Sequence, residues 1–335
     1  MLCVSLGLRR DNAVPAIVVV HPSAEHLWES IPSIVGVGFD YLVEKGNISR
    51  SATSASDLQT HQIWPMNGSS IGNISYENRW GSLGGYLTFS RVSGSEAVAI
   101  TCAHTLIHQG EEPQTPTICV QPSVQHLRMS PNLQICLGGL GTRTGCGCSS
   151  STHCTYFGRV GPMKIGTTIR QLGAEPVEIS MDWVILQQLR RIAQHNKVHD
   201  RVVQGWERVE FRTNEDGEIL VGNDQRVYMQ GALSGRTTGC LQSRLAYCHL
   251  EGNSTCTRET WVLGDGENQR FSGRGDSGSW VVDNRGFVIG VLLGGYDGTT
   301  PVSLITPMQH LLEDICEKLQ IDLNEVGVTG WTSDT

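Results

Sequence analysis

From about residue 69 onward the chain is a succession of short β-rich runs separated by glycine turns, with no helical period between them. GGYLTFSRV, EAVAITCAH, TICVQP, YFGRVGPM, MDWVILQQL, RVYMQGALSG, CLQSRLAYC, ETWVLG, GSWVVDNRGFVIGVLLGG and VSLITP all read as strands. Strands at this density with no helix to cover them must bury their apolar faces against one another, as in a sandwich or barrel. SWVVDNRGFVIGVLL predicts a hairpin that turns over Asp283 to Gly286. The β pattern then gives way to a helix. Thr306 is placed to cap it, Pro307 fits its first position, and Gln309 completes a Thr-x-x-Gln capping box. Met308, Leu311, Leu312, Ile315 and Leu319 fall on one face of that helix, which predicts that it packs on the barrel.

The first 46 or so residues follow another pattern. Ala16 to Val20 is an apolar β-branched run, SAEHLW offers Ser23 as a helix cap, and GFDYLVEKG alternates like a second strand. Together they predict a small β-α-β unit. The Ser- and Thr-rich stretch NISRSATSASDLQTHQIWPMNGSS has no period and reads as a linker or surface loop. The expected division is therefore 1–60 for a small α/β unit with its linker, 61–320 for the β domain, and 321–335 for a tail.

Composition narrows the classes. The 335 residues include 39 glycines and only 17% charged residues, which favours a turn-rich globule over disorder. The formal charge of -8 argues against a nucleic-acid partner, which needs a basic surface. No apolar run has membrane-spanning length. MLCVSLGLRRDNAV places its arginines after a very short apolar stretch, the reverse of a secretory signal. The 11 cysteines are odd in number, and Cys102, Cys119, Cys136, Cys240 and Cys316 fall in apolar strand-like contexts. These features predict reduced thiols and a cytoplasmic location. The sequons at Asn47, Asn67, Asn73 and Asn253 carry little weight without export.

Three stretches stand out chemically. GRGDSGSW surrounds Ser277 with glycines. It reads either as a plain turn or as a nucleophile whose own backbone forms an anion pocket. A serine hydroxyl is a poor nucleophile near neutral pH unless an imidazole takes its proton and a carboxylate orients that imidazole. AVAITCAHTL places His104 at the end of an apolar strand, and EISMDWVILQQL places Asp182 at the start of another. The plain readings are a strand-end histidine and a turn aspartate. An aspartate heading an apolar strand is costly to bury alone, and a bonded imidazole would offset that cost.

TCAHTL, DWVIL and GDSGSWVV, in the order His, Asp, Ser, resemble the three signatures of chymotrypsin-like (trypsin-like) serine proteases. VYMQGALSGRTTGCLQSRL resembles the Gly-x-Thr-Thr-Gly strand pair of bacterial and fungal members. The resemblance covers about residues 69–320 and looks most like intracellular fungal trypsin-like domains with an N-terminal extension. It implies a double β-barrel and a serine endopeptidase that needs no cofactor. Ser277 would then be the nucleophile, His104 the base and Asp182 its orienter. The N–H groups of Gly275 and Ser277 would form the oxyanion hole, each donor worth about 3–4 kcal/mol of barrier. Phe271 would lie at the floor of the specificity pocket, with Gly294 and Gly295 along a wall. With no acidic residue at that floor, the expectation is a small or medium apolar residue before the cut.

Departures from the family pattern carry expectations of their own. There is no Ile-Val-Gly-Gly start, so Asp276 should find a partner elsewhere, in Arg274 or the N-terminal unit. Ser279 and Trp280 replace the usual continuation after the serine, and Leu293 stands where the family has a serine near the aspartate. These departures sustain a rival reading, a catalytically weak scaffold for binding or regulation. A serine esterase is a third. The expected partner is a polypeptide substrate, with regulation from within the chain by the N-terminal unit. CGCSSSTHC brings Cys146, Cys148, His153 and Cys154 together, residue types that bind zinc, but the spacing matches no standard finger or ribbon, and the expectation is a glycine- and serine-rich insertion with free thiols and no metal.

Overall fold

The β-branched and aromatic runs pair mostly antiparallel, with several crossovers from sequence order, and the resulting ladders curl into two barrels. A computed structural model describes residues 3–8, 15–21, 40–45, 49–50, 67–73, 79–91, 94–107, 118–121, 155–188, 196–215, 217–222, 225–250, 255–265, 270–296 and 301–328. Four strands come first: β1 (Cys3–Leu8), β2 (Pro15–His21), β3 (Asp40–Lys45) and β4 (Ser49–Arg50). β1 and β2 are antiparallel, and β2 and β3 are parallel. A parallel pair requires a crossover connection. The helix expected over SAEHLW lies outside the described residues, as do Cys146, Cys148, His153 and Cys154.

The first barrel uses β5 (Ser70–Asn73), β6 (Trp80–Ser82), β7 (Gly85–Arg91), β8 (Gly94–Thr101), β9 (Ile118–Gln121), β10 (Thr155–Leu172) and β11 (Glu175–Gln188). They pair in the order β7-β8-β11-β10-β9-β5-β6. β6 runs into β7 through Leu83 and Gly84, whose amides donate to Ser69 O at 2.8 Å and Ile100 O at 3.0 Å. The first and last strands of this order are therefore consecutive in one stretch of chain, which curls the sheet back toward itself.

Five short strands lead to the second barrel: β12 (Lys197–Val198), β13 (Arg201–Val202), β14 (Gly205–Trp206), β15 (Phe211–Thr213) and β16 (Ile219–Val221). Then come β17 (Arg226–Gly231), β18 (Gly235–Leu241), β19 (Ala246–Cys248), β20 (Thr257–Gly264), β21 (Trp280–Val282), β22 (Phe287–Tyr296) and β23 (Val302–Pro307). Six of them close a ring, β17-β18-β20-β23-β22-β21, so no edge is left around it. β19 pairs with β20 and carries β1 on its other side. The hairpin over Asp283–Gly286 forms as expected, with Asp283 Oδ1 accepting the Arg285 and Phe287 amides, each at 2.9 Å.

Helix α1 (Met308–Leu319) follows, and β24 (Val326–Val328) pairs with β7. Met308, Leu311, Leu312 and Ile315 of α1 are buried, and Leu319 packs beside them, as its period requires. The expected capping box does not form. Pro307 is the N-cap, with no side-chain capping bond. Thr306 is still in β23, paired with Val291, and its hydroxyl donates to Ser180 O at 3.3 Å. The sheet extends into the sequence that local capping rules assigned to the helix.

The two faces of β11 serve different cores. Val177, Ile179, Met181, Trp183 and Ile185 belong to a large core shared with β17, β21, β22 and α1. Val184 and Leu186, on the opposite face, pack with Ala103, Leu106 and Ile107. Asp182 shares the parity of Val184 and Leu186, so it faces the segment that contains His104.

Candidate active site

β8 ends at Thr101, and a single 3-10 turn, Ala103–Thr105, follows. The Thr105 hydroxyl donates to Cys102 O at 2.6 Å, which pins the turn. His104 is thereby held one step beyond the barrel wall. Asp182 takes it from β11 with both oxygens: Oδ1 accepts the His104 backbone N–H at 3.1 Å, and Oδ2 lies 2.6 Å from Nδ1. His104 is 4% and Asp182 1% exposed. In so dry a setting an unpaired carboxylate would cost several kcal/mol, and the imidazole offsets that. The contact leaves Nδ1 as the donor and Nε2 free to accept a proton. Nε2 is buried and has no hydrogen-bond partner among the described residues.

The Ser277 loop abuts this pair. Gly278 N–H donates to Leu292 O at 2.9 Å, and Cys102 Sγ donates to the same carbonyl at 3.3 Å. Gly81 lies between the two segments. A Cβ added there would fall 2.4 Å from Thr105 Cγ2 and 2.8 Å from Ser277 O, so only glycine permits this approach. Ser277 is fully buried, and its Oγ donates to Leu293 O at 3.0 Å. With His104 Nε2 unpartnered, the hydroxyl is turned to the strand carbonyl and not to the imidazole. Leu293 itself is buried with Trp261 and Leu304 in the second barrel.

Gly275 has φ +101°, and an added Cβ would meet the Trp80 ring at 2.6 Å. Backbone geometry and packing therefore both require glycine here. Gly278 also has positive φ, at +94°. Asp276 is fully buried. The expected pairing with Arg274 or the N-terminal unit is replaced by backbone donors. Oδ1 accepts Leu233 N–H at 2.8 Å and Ser234 N–H at 3.1 Å, and Oδ2 accepts Gly273 N–H at 2.8 Å. Burial pushes the Asp276 carboxyl above the usual range, against the pull of these hydrogen bonds. The loop is thus tied to the β17–β18 turn by amides within the folded chain.

Several supporting residues escaped the sequence reading. Ser82 N–H donates to Ser277 O at 2.9 Å, and its hydroxyl donates to Gly275 O at 3.0 Å while accepting Ala232 N–H at 2.8 Å. One serine of the first barrel thus clamps the loop of the second. Arg79 donates to His104 O at 2.9 Å and Ile107 O at 3.1 Å. Glu259 Oε1 accepts Ser180 N–H at 2.8 Å across the barrel interface, two residues from Asp182. No local motif marks any of them, because each acts on a partner far away in sequence.

Of the expected pocket residues, Phe271 is 1% exposed and its ring lies against Gly239 in the barrel core. Gly294 and Gly295 lie on β22, paired with Leu304 and Ser303 of β23. Cys102, His104 and Asp182 bring a thiol, an imidazole and a carboxylate within 4.8 Å of one another. The imidazole and carboxylate are bonded to each other, the arrangement of an oriented base. Cys102, Cys248 and Cys316 are buried, Cys240 is half-buried and Cys256 is exposed. No helix among the described residues is long and apolar enough to cross a membrane.

No protein-family model and no curated protein matches the chain. Among solved structures it is similar to a glutamic acid specific serine protease described as using a histidine triad in substrate binding. That match has 12% identity and a TM-score of 0.41 over 79% of this chain and 100% of the other. Cellulomonas bogoriensis chymotrypsin gives 12% identity and a TM-score of 0.36 over 80% of this chain and 99% of the other. The MamO protease domain from Magnetospirillum magneticum gives 10% identity and 0.36 over 76% and 98%. Similarity this low says nothing about substrate or activity, and these matches lend no support to an intracellular fungal subgroup.

Proposed function

We propose that the chain is a serine endopeptidase acting on polypeptides. The observation that carries this reading is the buried Asp182–His104 pair, 2.6 Å apart, set beside the glycine-bounded loop of Ser277. The Ser277 hydroxyl attacks a peptide carbonyl and passes its proton to His104 Nε2. Asp182 fixes the tautomer that leaves Nε2 as acceptor and stabilises the imidazolium. The N–H groups of Gly275 and Ser277 receive the developing oxyanion. His104 then protonates the leaving amine, and water hydrolyses the acyl-enzyme. The protease unit is residues 61–320, and its preference is for a small or medium apolar residue before the cut. A peptide-library profile dominated by Lys or Arg would refute that preference.

One observation favours a second reading. The Ser277 hydroxyl is bonded to Leu293 O instead of His104. A nucleophile held there at all times would make the protein a binding scaffold. Fluorophosphonate labelling, read by intact mass and peptide mapping, separates the two. Stoichiometric modification at Ser277, lost in Ser277→Ala and His104→Ala, supports the endopeptidase. No modification of the folded wild type supports the scaffold.

A further inference from the structure

Five consecutive peptide planes run from Gly273 to Gly278. The second carries Gly275 N–H and the fourth carries Ser277 N–H, the two proposed oxyanion donors. The planes between and around them are tied down. Gly273 O, in the first, accepts Asp276 N–H at 3.1 Å. The third is held by that same N–H and by Gly275 O, which accepts the Ser82 hydroxyl at 3.0 Å. In the fifth, Ser277 O accepts Ser82 N–H and Gly278 N–H donates to Leu292 O, each at 2.9 Å. Ser82 therefore holds both planes that flank the Ser277 donor and one of the two that flank the Gly275 donor. Its own place on β6 is fixed. Its carbonyl accepts the Thr101 hydroxyl at 2.7 Å, its Oγ accepts Ala232 N–H at 2.8 Å, and it is fully buried. Gly275 has most need of such a hold. It has no Cβ to restrict rotation, and the Trp80 ring leaves no room for one.

We infer that Ser82 is a positioning residue for the reaction, one that sets the Gly275 and Ser277 donors before a substrate arrives. The inference rests on the endopeptidase reading. Donors that are already in place need no reorganisation when charge develops on the carbonyl oxygen, which is where such groups gain their effect. Ser82 touches neither the nucleophile's hydroxyl nor His104, so it acts through the backbone of the loop alone. Its hydroxyl has one hydrogen, and that hydrogen is committed to Gly275 O. Removing the hydroxyl leaves the third plane held at its N–H end only and strands Ala232 N–H. The bond from Ser82 N–H to Ser277 O survives the change, so the loop stays docked while one donor loses its setting. The effect belongs to the chemical step, and the proton transfer to His104 keeps its own pH dependence.

The test is the rate of fluorophosphonate labelling at Ser277, measured across pH on the full chain. Ser277 Oγ displaces fluoride from phosphorus, its proton passes to His104, and the phosphoryl oxygen takes the oxyanion's place. Wild type, Ser82→Ala and Ser82→Cys are compared, with near-ultraviolet circular dichroism to confirm that each is folded. Ser82→Ala should label about 10- to 100-fold more slowly at every pH, part of what the loss of a whole donor costs. The midpoint of its acid limb should stay at the wild-type value, because the His104–Asp182 pair is intact. Ser82→Cys keeps a weaker donor and should fall between the two. If Ser82→Ala does not fold, Ser82→Cys decides: slower labelling with an unmoved midpoint supports the inference, and the wild-type rate overturns it. A folded Ser82→Ala that labels at the wild-type rate overturns the positioning role and leaves the endopeptidase reading standing. A displaced acid limb also overturns it, since the substitution then acts on the base. A folded wild type that takes no label overturns both.

Discussion

At Asp182 two hydrogen bonds perform separate tasks. Oδ1 fixes the His104 backbone, and Oδ2 fixes its ring. Asp182→Asn can keep the first and must spoil the second, because an amide N–H facing Nδ1 forces the opposite tautomer. The expected outcome is a loss of roughly 10³–10⁴-fold in peptide hydrolysis with little change in the urea midpoint. Gly275 gives the contrasting case, in which backbone and packing act together. Gly275→Ala places a side chain at φ +101° against the buried Trp80 ring. Strain and overpacking each cost about 1–3 kcal/mol. Urea unfolding should show a clear downward shift, and labelling at Ser277 should slow because Gly275 N–H is one of the two proposed oxyanion donors. A variant as stable as wild type would mean that Trp80 moves aside. The glycine pattern was legible in the sequence. The ring that makes Gly275 indispensable lies almost two hundred residues earlier and was not.

Helix α1 does more than cover the barrel. Its buried Asp314 accepts Trp183 Nε1 at 2.8 Å through Oδ2, and Oδ1 accepts Lys164 Nζ at 2.5 Å and the Thr168 hydroxyl at 3.0 Å. Trp183 is the residue after Asp182, so the helix anchors the strand that supplies the carboxylate. Asp314→Ala would strand the Trp183 indole N–H and leave the half-buried Lys164 ammonium with the Thr168 hydroxyl but no carboxylate. The expected loss is about 3 kcal/mol in chemical denaturation, reduced because Lys164 can reach water. Asp314→Asn should recover much of it through the Trp183 bond alone. The helix and its apolar face could be read from period. Its start could not, because β23 takes Thr306 for a ladder with β22, and cooperative sheet pairing outweighs a local cap.

The largest core includes Leu87 and Ile100 of the first sheet, Trp183 of β11, Met229 and Leu292 of the second barrel, and Leu311 and Ile315 of the helix. The Ser277 loop is built across this junction, since Ser82 and Cys102 come from one barrel and Leu292 from the other. Neither barrel holds the candidate site alone. Tryptophan fluorescence and far-ultraviolet circular dichroism should therefore report one coincident unfolding transition. Two separated transitions would show that the shared core is too weak to couple the barrels.

Alternation of apolar residues, glycine turns and the hairpin over Asp283–Gly286 were determined by the sequence itself. Each is set by neighbours within a few residues, where pleat and turn geometry operate. His104, Asp182 and Ser277 stood out for the same local reason, a polar group at a strand end or among glycines. Tertiary structure decided what these residues touch. It set the 2.6 Å contact between His104 and Asp182, the Ser82 clamp, the amide cradle around Asp276 and the seating of β4 on β22. All four join residues distant in the chain. Their partners are chosen by which strands close each barrel and in which register, and that choice is made by burial of the whole core, not by any local stretch.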